Sequence, residues 1–293
     1  IIRESDGAMV AFLEDEKLPP AIVRKSDGGF NYATSDIATI LDRMTEFSPE
    51  EIVYVHDERQ QLHFNQVFSI CRRLGVSVNL THVWFGLMRL KEGTFSTREG
   101  NVIKLEELLD EAERRALALV KESSPEMPAT QQQAVARAVG IGAVKYADLS
   151  QNPRTLVTFT WDKALALDGN SAPYLQYACA RIMSVLDKYK AQFPDSVLAD
   201  TPLQLVEPLE RALAMKIILF PEVLIRAASS FMPSVLTDYL YDLAQCYSSF
   251  YQAVPFLKAD DGVRESRVRL CDSVARALRT GLDLLGIETP ERI

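Results

Sequence analysis

The amino-acid sequence predicts an α/β domain followed by an all-α helical domain. Before about residue 105, short β-rich runs alternate with stretches of helical periodicity. From Leu105 onward the strand signal fades and helical periodicity dominates. The length of 293 residues suits about two domains, and the hydrophobic content of 47% is enough for a real core.

The first part of the sequence alternates strand and helix signals. Predicted strands lie at 8–13, 21–23, 52–55 and 76–85, and predicted helices lie at 35–44 and 62–74. The apolar run Ile52-Val53-Tyr54-Val55 predicts a strand that is buried on both faces. Polar residues 56–58 follow at its carboxyl end, where open α/β sheets bind ligands, so they are candidates for a site.

The second part is predicted to consist of helices separated by proline, asparagine and glycine breakers. These helices are predicted at 105–122, 131–148, 172–190, 206–228, 235–254 and 264–285. The segment 150–160 is predicted to be a loop, and a domain boundary is expected near 168–170. The chain therefore divides into an α/β segment at 1–105, connecting helices at 106–168 and a helical bundle at 169–293.

The composition limits the classes of partner. A net charge of -8 excludes a promiscuous polyanion binder that works by bulk positive charge. Most of the acidity lies in residues 1–148, which hold 17 basic and 23 acidic side chains, against 15 and 17 in residues 149–293. A selective nucleic-acid reader therefore remains compatible with the second part. The four cysteines are far apart and signal neither zinc nor disulfides, which favours a reducing cytosol, and no apolar stretch is long enough for a membrane span.

A Gly-Gly turn at 28–29 leads into a predicted helix start. Thr34 or Ser35 is expected to cap that helix. Tyr32 and Asp36 would then flank its first turn, where a phenol and a carboxylate can converge on a cationic ligand. The alternative is that Asp36 only complements the positive end of the helix dipole and that Tyr32 packs.

The segment 86–101 has glycines at both ends and carries Ser96, Thr97 and Arg98. Hydroxyls and an arginine can hold phosphate oxygens through charge-assisted hydrogen bonds, so the segment is a candidate phosphate clamp. The alternative is a solvated hairpin, because glycine, serine, threonine and asparagine are common in turns generally.

Tyr174 and Tyr177 are three residues apart on a predicted helix, with Arg181 nearby. Exposed tyrosines can stack on unpaired bases, although an aromatic pair at this spacing also suits a core. Near the end of the chain, basic residues outnumber acidic ones and form either a solvated amphipathic helix or a face that binds a nucleic-acid backbone; they are Arg264, Arg267, Arg269, Arg276 and Arg279.

Other polar and small residues give weaker signals. His56, His63 and His82 lack a convincing partner set in the sequence, and none of the cysteines is in a setting that predicts activation. The stretch Gly140-Ile141-Gly142 predicts a close helix contact rather than a nucleotide loop, because no strand precedes it.

Taken together and in order, four stretches resemble the arginyl-tRNA synthetases, a class I aminoacyl-tRNA synthetase family. The stretches are GFNYATSDIA at 29–38, HDERQQLHF at 56–64, FSTREGN at 95–101 and NSAPYLQYA at 170–178. The resemblance runs from about residue 22 to the C-terminus, where GIETPER at 286–292 is similar to the family's ending, although Ile293 stands where the family commonly has methionine.

The resemblance implies a fold and a set of site residues. It implies the second half of a Rossmann-like class I catalytic domain, followed by an all-α anticodon-binding domain of the DALR type. Tyr32, Asp36 and Gln60 would line an arginine pocket, with Asp36 as the partner of the guanidinium. Ser96, Thr97 and Arg98 would correspond to the Lys-Met-Ser-Lys-Ser loop that stabilises the ATP phosphates.

Two further site assignments come from the resemblance. Thr94 and Thr97 stand where the signature of the phosphate loop has lysines, so Arg98 and Lys91 are the candidates for the positive charge. Tyr174 and Tyr177 would contact the anticodon loop, and this implication favours stacking over the core interpretation of the pair.

The implied activity is ATP-dependent activation of L-arginine and its transfer to tRNA(Arg). ATP would act as a substrate with Mg²⁺, with no tightly bound cofactor or resident metal, in a cytoplasmic and monomeric enzyme. The family's His-Ile-Gly-His element is not found in the sequence. The expectation is therefore a C-terminal portion that is inactive alone. The alternatives are a non-catalytic tRNA-binding module and a helical protein-interaction scaffold.

Overall fold

A computed structural model describes residues 2–86, 88–91, 104–196, 198 and 202–293. The chain separates into two units, Ile1–Leu87 and Met88–Ile293. The first unit combines strands and helices, and the second is dominated by helices. The predicted order of an α/β part followed by a helical part is confirmed.

The first unit contains an antiparallel sheet and a β-α-β motif. The antiparallel sheet consists of β1 (Ile2–Ser5), β2 (Ala8–Ala11) and β3 (Ala21–Arg24). Helix α1 (Tyr32–Phe47) follows, and then β4 (Glu51–Asp57), α2 (Gln61–Arg73) and β5 (Asn79–Phe85) form the motif. β4 and β5 are parallel and in register from Glu51 opposite Asn79 to Asp57 opposite Phe85, which requires the crossover that α2 supplies.

Apolar residues of both helices and of β4 form the core of this unit. Ile37 and Ile40 come from α1, Phe64 comes from α2, and Ile52 and Tyr54 come from β4. The core sets α1 beside α2, so polar side chains at the edge of this contact can meet.

The prediction that β4 is buried on both faces is wrong. Ile52 and Tyr54 are buried, whereas Val53 and Val55 between them are exposed. Successive side chains of a strand point to opposite faces. Among the described residues, only one face of β4 is covered.

The second unit begins with a short parallel strand pair and continues with helices. Strand β6 (Met88–Leu90) pairs with β7 (Val157–Phe159), so the predicted loop at 150–160 contains a strand. The helices are α3 (Leu105–Ser123), α4 (Ala129–Leu149), α5 (Trp161–Ala164), α6 (Ala172–Gln192), α7 (Pro208–Ile218), α8 (Phe220–Ser230), α9 (Pro233–Ala253) and α10 (Val263–Leu284). Apolar residues of α6, α7, α9 and α10 share one core.

Two helices occupy the segment that the sequence predicts as a single helix at 206–228. α7 ends at Ile218, and α8 begins at Phe220 with Pro221 in its first turn. Proline has no backbone N–H and clashes with the preceding turn, so it is accommodated at a helix start and not in a helix interior. No helix in the described part of the chain is long and apolar enough to cross a membrane.

Candidate functional site

Asn31 fixes the start of α1. Its side-chain Nδ2 donates to the carbonyl of Ile22 in β3 at 2.7 Å, and its Oδ1 accepts from the backbone N–H of Thr34 at 3.4 Å. The Thr34 hydroxyl donates to the carbonyl of Val23. The prediction of Thr34 or Ser35 as the cap is therefore wrong, because the helix begins at Tyr32 and Asn31 supplies the capping oxygen.

Asp36 lies in the second turn of α1 and meets His63 of α2. The distance from His63 Nε2 to Asp36 Oδ2 is 2.6 Å, and the two side chains are 28% and 33% exposed. The expectation that His63 lacks a partner is wrong. The partners are 27 residues apart in the sequence, so no local pattern links them, and the packing of α1 on α2 brings them into contact.

Tyr32 and Gln60 lie one helical turn from the Asp36–His63 pair. Tyr32 is 86% exposed and precedes Asp36 by four residues on α1, a spacing that places two side chains on one helix face. Gln60 is exposed at the N-cap of α2, three residues before His63.

The alternative interpretations, packing for Tyr32 and a helix-dipole role for Asp36, are not supported by the structure. The exposure of Tyr32 contradicts packing in the core. The first turn of α1 holds no acidic residue, so Asp36 does not act as a partner for the positive end of the helix. Asp36 remains one-third exposed, with one carboxylate oxygen contacting His63.

His56 and His82 pack against the ring of Phe64. Their ring centroids lie 4.6 Å and 4.7 Å from that of Phe64, and the two imidazoles are 6.4 Å apart. Burial lowers the pKa of His82, and the nearby His56 and His63 act in the same direction. Within the described residues, Nε2 of His82 is buried without a hydrogen-bond partner. These surroundings favour the neutral form of the His82 imidazole.

The predicted phosphate clamp falls on residues that lie outside the described ranges. Ser96, Thr97 and Arg98, together with Thr94, belong to 92–103. Lys91 is described and exposed, and its backbone N–H donates to the carbonyl of Phe159 at 3.4 Å. The clamp at 96–98 stays a prediction.

Tyr174 and Tyr177 have different environments on α6. The helix begins after Ser171, whose Oγ accepts from the N–H of Tyr174 at 3.2 Å. The ring of Tyr174 is half-buried and packs edge-on against Tyr241 of α9 at 5.6 Å, and this burial raises its pKa. Tyr177 is 41% exposed. The core interpretation therefore applies in part to Tyr174, while Tyr177 offers a surface ring.

Arg181 connects Tyr177 to a second tyrosine. Its guanidinium carbon lies 4.8 Å from the ring centroid of Tyr177 and 5.3 Å from that of Tyr251 at the end of α9. These three side chains belong to the lining of an open cavity of about 620 Å³, to which Lys188 and Arg292 also contribute. Tyr251 was not identified from the sequence, because 70 residues separate it from Arg181 and no local pattern links them.

The C-terminal arginines do not form one binding face. Arg267 is buried and its Nε donates to Oε1 of Glu210 at 2.5 Å, while Arg264 pairs with Asp261 and Glu265. Arg276 and Arg279 remain exposed. The reading of the five arginines as a backbone-binding face is wrong for Arg264 and Arg267, which serve the fold of the helical unit.

The cysteines and the Gly140 stretch agree with the sequence analysis. Burial raises the pKa of Cys71 to about 11 and the pKa values of Cys179 and Cys271 to about 12, so these thiols are not activated. A Cβ atom at Gly140 would lie 2.7 Å from the backbone of Ala112. The predicted close helix contact is confirmed, and it joins α4 to α3.

Two family models match the chain. The model described as tRNA synthetases class I (R), catalytic domain, matches residues 1–161. The model described as DALR anticodon binding domain matches residues 175–293. The sequence patterns at 29–38 and 56–64 lie in the first match, and Tyr177, Arg181 and Tyr251 lie in the second.

Curated relatives are arginine–tRNA ligases of bacteria. That of Laribacter hongkongensis is 44% identical over 300 residues, which cover 99% of this chain and 52% of the relative. That of Hahella chejuensis is 43% identical over 302 residues, which cover 100% of this chain and 52% of the relative. The chain thus spans about half the length of the curated relatives it matches.

Solved structures agree with the family models. The arginyl-tRNA synthetase of Thermus thermophilus matches with a TM-score of 0.85 and 29% identity over 99% of this chain and 55% of that chain. The enzyme of Plasmodium falciparum has a TM-score of 0.84 at 24% identity over 100% of this chain and 50% of that chain, a similarity of fold. The chain belongs to the class I (R) tRNA synthetase family, with a catalytic-domain part followed by a DALR anticodon-binding domain.

Proposed function

We propose that the protein containing this chain attaches L-arginine to tRNA(Arg) at the expense of ATP, and that this chain supplies the arginine pocket and the anticodon-binding surface. The observation that carries the proposal is the Asp36 carboxylate, which is one-third exposed and lies one turn from the exposed ring of Tyr32. The relatives' own names support the choice of amino acid, since they are arginine–tRNA ligases.

The arginine pocket consists of Tyr32, Asp36 and Gln60 in this proposal. A carboxylate accepts two parallel hydrogen bonds from a planar guanidinium, and this fork gives both affinity and geometric selectivity. Lysine has a compact ammonium that cannot form the same fork, so the pocket discriminates against it. Tyr32 offers an apolar face and a hydroxyl beside the ligand, and Gln60 offers an amide.

ATP is the second substrate in the proposal, and it enters with Mg²⁺. The arginine carboxylate attacks the α-phosphate of ATP, and pyrophosphate leaves. A terminal ribose hydroxyl of the tRNA then attacks the activated arginyl carbonyl and accepts the arginyl group, and AMP leaves. Ser96, Thr97 and Arg98 hold the phosphates during the first step, with Lys91 as a second source of positive charge. Positioning and charge stabilisation carry such phosphoryl chemistry, so no covalent enzyme nucleophile is needed.

The anticodon-binding surface is assigned to the cavity beside α6. Tyr177 stacks on an unpaired base, and Arg181, held between the rings of Tyr177 and Tyr251, contacts phosphate or a second base. Tyr174, which is half-buried against Tyr241, contributes the exposed part of its side chain to this surface. The cavity of about 620 Å³ is in the size range of sites for small ligands, and it has room for a splayed base.

The proposed organisation follows from these assignments. Residues 1–105 form the second half of the catalytic domain with the phosphate loop, 106–168 form connecting helices, and 169–293 form the anticodon-binding domain. The enzyme is proposed to be monomeric and cytoplasmic, where its substrates ATP, L-arginine and tRNA are present.

Aminoacylation by the protein encoded by the complete reading frame tests the proposal. The expected result is an arginyl ester on tRNA(Arg) that requires ATP and L-arginine. Asp36→Ala is expected to raise the KM for arginine far more than the KM for ATP. The matched control is Asp42→Ala, which removes the same charge from an exposed position on α1 and should leave both constants unchanged.

Two results would contradict the proposal. Equal loss of affinity for arginine and ATP in Asp36→Ala would place Asp36 outside the arginine pocket. Binding of tRNA(Arg) without any arginine-dependent reaction would instead support the non-catalytic tRNA-binding module.

A further inference from the structure

We propose that His63 is a positioning residue that fixes the Asp36 carboxylate in the plane required by a guanidinium. This role rests on the proposed arginine pocket. The partner of His63 is not recognisable in the sequence, and the role makes the selectivity of the pocket depend on a contact between two helices.

The direction of the hydrogen bond follows from the chemistry of the two groups. His63 Nε2 and Asp36 Oδ2 are 2.6 Å apart. An ionised carboxylate can only accept, so Nε2 of His63 must carry the proton and donate it. The contact therefore requires a hydrogen on Nε2 of His63, and it occupies one lone pair of Oδ2.

The imidazole of His63 is itself held by a rigid neighbour. Its ring meets the ring of Phe64 at 5.1 Å with an angle of 78° between the planes, which is an edge-to-face contact. Phe64 is buried in the core of the first unit and also contacts Tyr54 and Phe68. His63 lies in the first turn of α2 and Asp36 in the second turn of α1, so both groups stand on regular helices.

Fixing the carboxylate matters more for arginine than for lysine. A guanidinium forms its fork only when both carboxylate oxygens lie in its own plane, whereas an ammonium accepts almost any orientation of a carboxylate. His63 contacts Oδ2, which leaves Oδ1 and the second lone pair of Oδ2 for the ligand. A carboxylate that is ordered before binding loses less rotational freedom when the ligand arrives.

A catalytic His–Asp dyad does not fit the same geometry. A dyad that activates a protein nucleophile needs a hydroxyl or thiol within reach of the other imidazole nitrogen. In the part of the chain that the structure describes, the neighbours of His63 in hydrogen bonds and ring contacts are Asp36 and Phe64. His63 therefore acts through Asp36.

Calorimetric titration of the 293-residue chain with L-arginine and with L-lysine tests this role. His63→Leu removes the donor, and His63→Gln keeps an N–H donor without an imidazole. Asn65→Leu is the matched control, since Asn65 is exposed on the same turn of α2. Thermal unfolding of each variant reports whether the fold is retained, and ¹⁵N NMR of the histidines reports the tautomer of His63.

The expected results separate orientation from folding. His63→Leu should bind arginine about tenfold more weakly, as expected for one side chain that must now be ordered by the ligand, and its preference for arginine over lysine should fall. His63→Gln should bind arginine within about twofold of the unsubstituted chain, because it keeps the donor. Asn65→Leu should match the unsubstituted chain, and Asp36→Asn should shift the ¹⁵N signals of His63.

Three outcomes would overturn the role. Unchanged arginine binding and selectivity in His63→Leu would overturn it while leaving the proposed arginine pocket intact. Equal losses in His63→Gln and His63→Leu would show that the hydrogen bond is not the cause. Failure of the unsubstituted chain to bind arginine would overturn the proposed pocket, and the positioning role with it.

Discussion

Arg267 and Glu210 form a buried ion pair between α10 and α7, with 2.5 Å between Arg267 Nε and Glu210 Oε1. Arg267 Nη1 also donates to the carbonyl of Pro255 at 2.7 Å, and Glu210 Oε2 accepts from the backbone N–H of Glu207 at 2.9 Å. The pair therefore joins two helices and the loop after α9. Arg267 was expected on a solvated amphipathic helix or on a face that binds a nucleic-acid backbone, whereas the structure gives it a role in folding.

Removing one member of this pair is expected to destabilise the helical unit strongly. Arg267→Met should lower the free energy of unfolding by about 3–5 kcal/mol, because Glu210 would remain as an unpaired buried charge. Urea denaturation measures this change. The control is Arg276→Met, which breaks the exposed pair with Asp272 on the same helix and should cost less than about 1 kcal/mol. Equal losses of unfolding free energy in the two variants would contradict the assignment of Arg267 and Glu210 as a buried ion pair that stabilises the helical unit.

The two glycines of α4 are expected to respond differently to alanine. A Cβ atom at Gly140 would lie 2.7 Å from the carbonyl carbon and oxygen of Ala112, and this backbone cannot move away without separating α3 from α4. A Cβ atom at Gly142 would meet the side chains of Gln176 and Ile287 at 3.0 Å and 3.1 Å, which can shift slightly.

Gly140→Ala should therefore cost more stability than Gly142→Ala. The overpacking cost at Gly140 is expected to be about 1–3 kcal/mol, and it should outweigh the higher helix propensity of alanine. Thermal unfolding of the two variants side by side measures the difference. A stabilised Gly140→Ala variant would contradict the close approach of the helices.

The thiols are expected to differ in reactivity according to burial. Burial raises the pKa of Cys71 to about 11 and those of Cys179 and Cys271 to about 12, so these groups stay protonated in the folded chain at pH 8. Only Cys246 among the four is half-buried, and its pKa is also raised by burial. A thiol reagent at pH 8 should therefore modify Cys246 first.

Titration with and without denaturant checks this order. The folded chain should react slowly and first at Cys246, whereas the unfolded chain should react at all four cysteines, because unfolded thiols ionise near pH 8.5. The same difference in pKa means that the free energy of unfolding should decline as pH rises through 9 to 12, where only the unfolded thiols ionise readily. Rapid modification of Cys179 or Cys271 in the folded chain would contradict the burial.

Local patterns predicted the order of elements because helices and strands have different hydrophobic periods. The β-strand after α1, the crossover helix α2 and most of the later helices follow from that signal. The start of α1 was missed by three residues because the cap depends on Asn31, which is tied to β3 by a contact with Ile22. The helix predicted at 206–228 runs across the break between α7 and α8, although Pro221 is one of the predicted breakers, because the apolar pattern continues across the joint.

Site residues were predictable only where a local pattern exists. Tyr32 and Asp36 share a helix face through their spacing, whereas the partnership of Asp36 with His63 needs the packing of two helices. Tyr174 and Tyr177 look equivalent in the sequence, but Tyr241 covers the first and Arg181 lies over the second. In both cases the environment of the side chain depends on tertiary neighbours, which a local sequence pattern does not contain.

Substitution of Tyr177, the ring over which Arg181 lies, tests the proposed anticodon-binding surface. Tyr177→Ala should weaken the binding of a tRNA(Arg) transcript by about 1–3 kcal/mol, as expected for the loss of one stacked base. Phe47→Ala is the control, because Phe47 is an exposed aromatic residue of α1 in the first unit. Binding should also weaken as salt is raised, since phosphate contacts release counterions.

The most direct measurement compares the affinity of the 293-residue chain for two tRNA(Arg) transcripts that differ only in the three anticodon bases. The proposed function predicts tighter binding of the natural transcript, with the preference lost in Tyr177→Ala and kept in Phe47→Ala. Equal affinity for the two transcripts, or no binding of either, would contradict it.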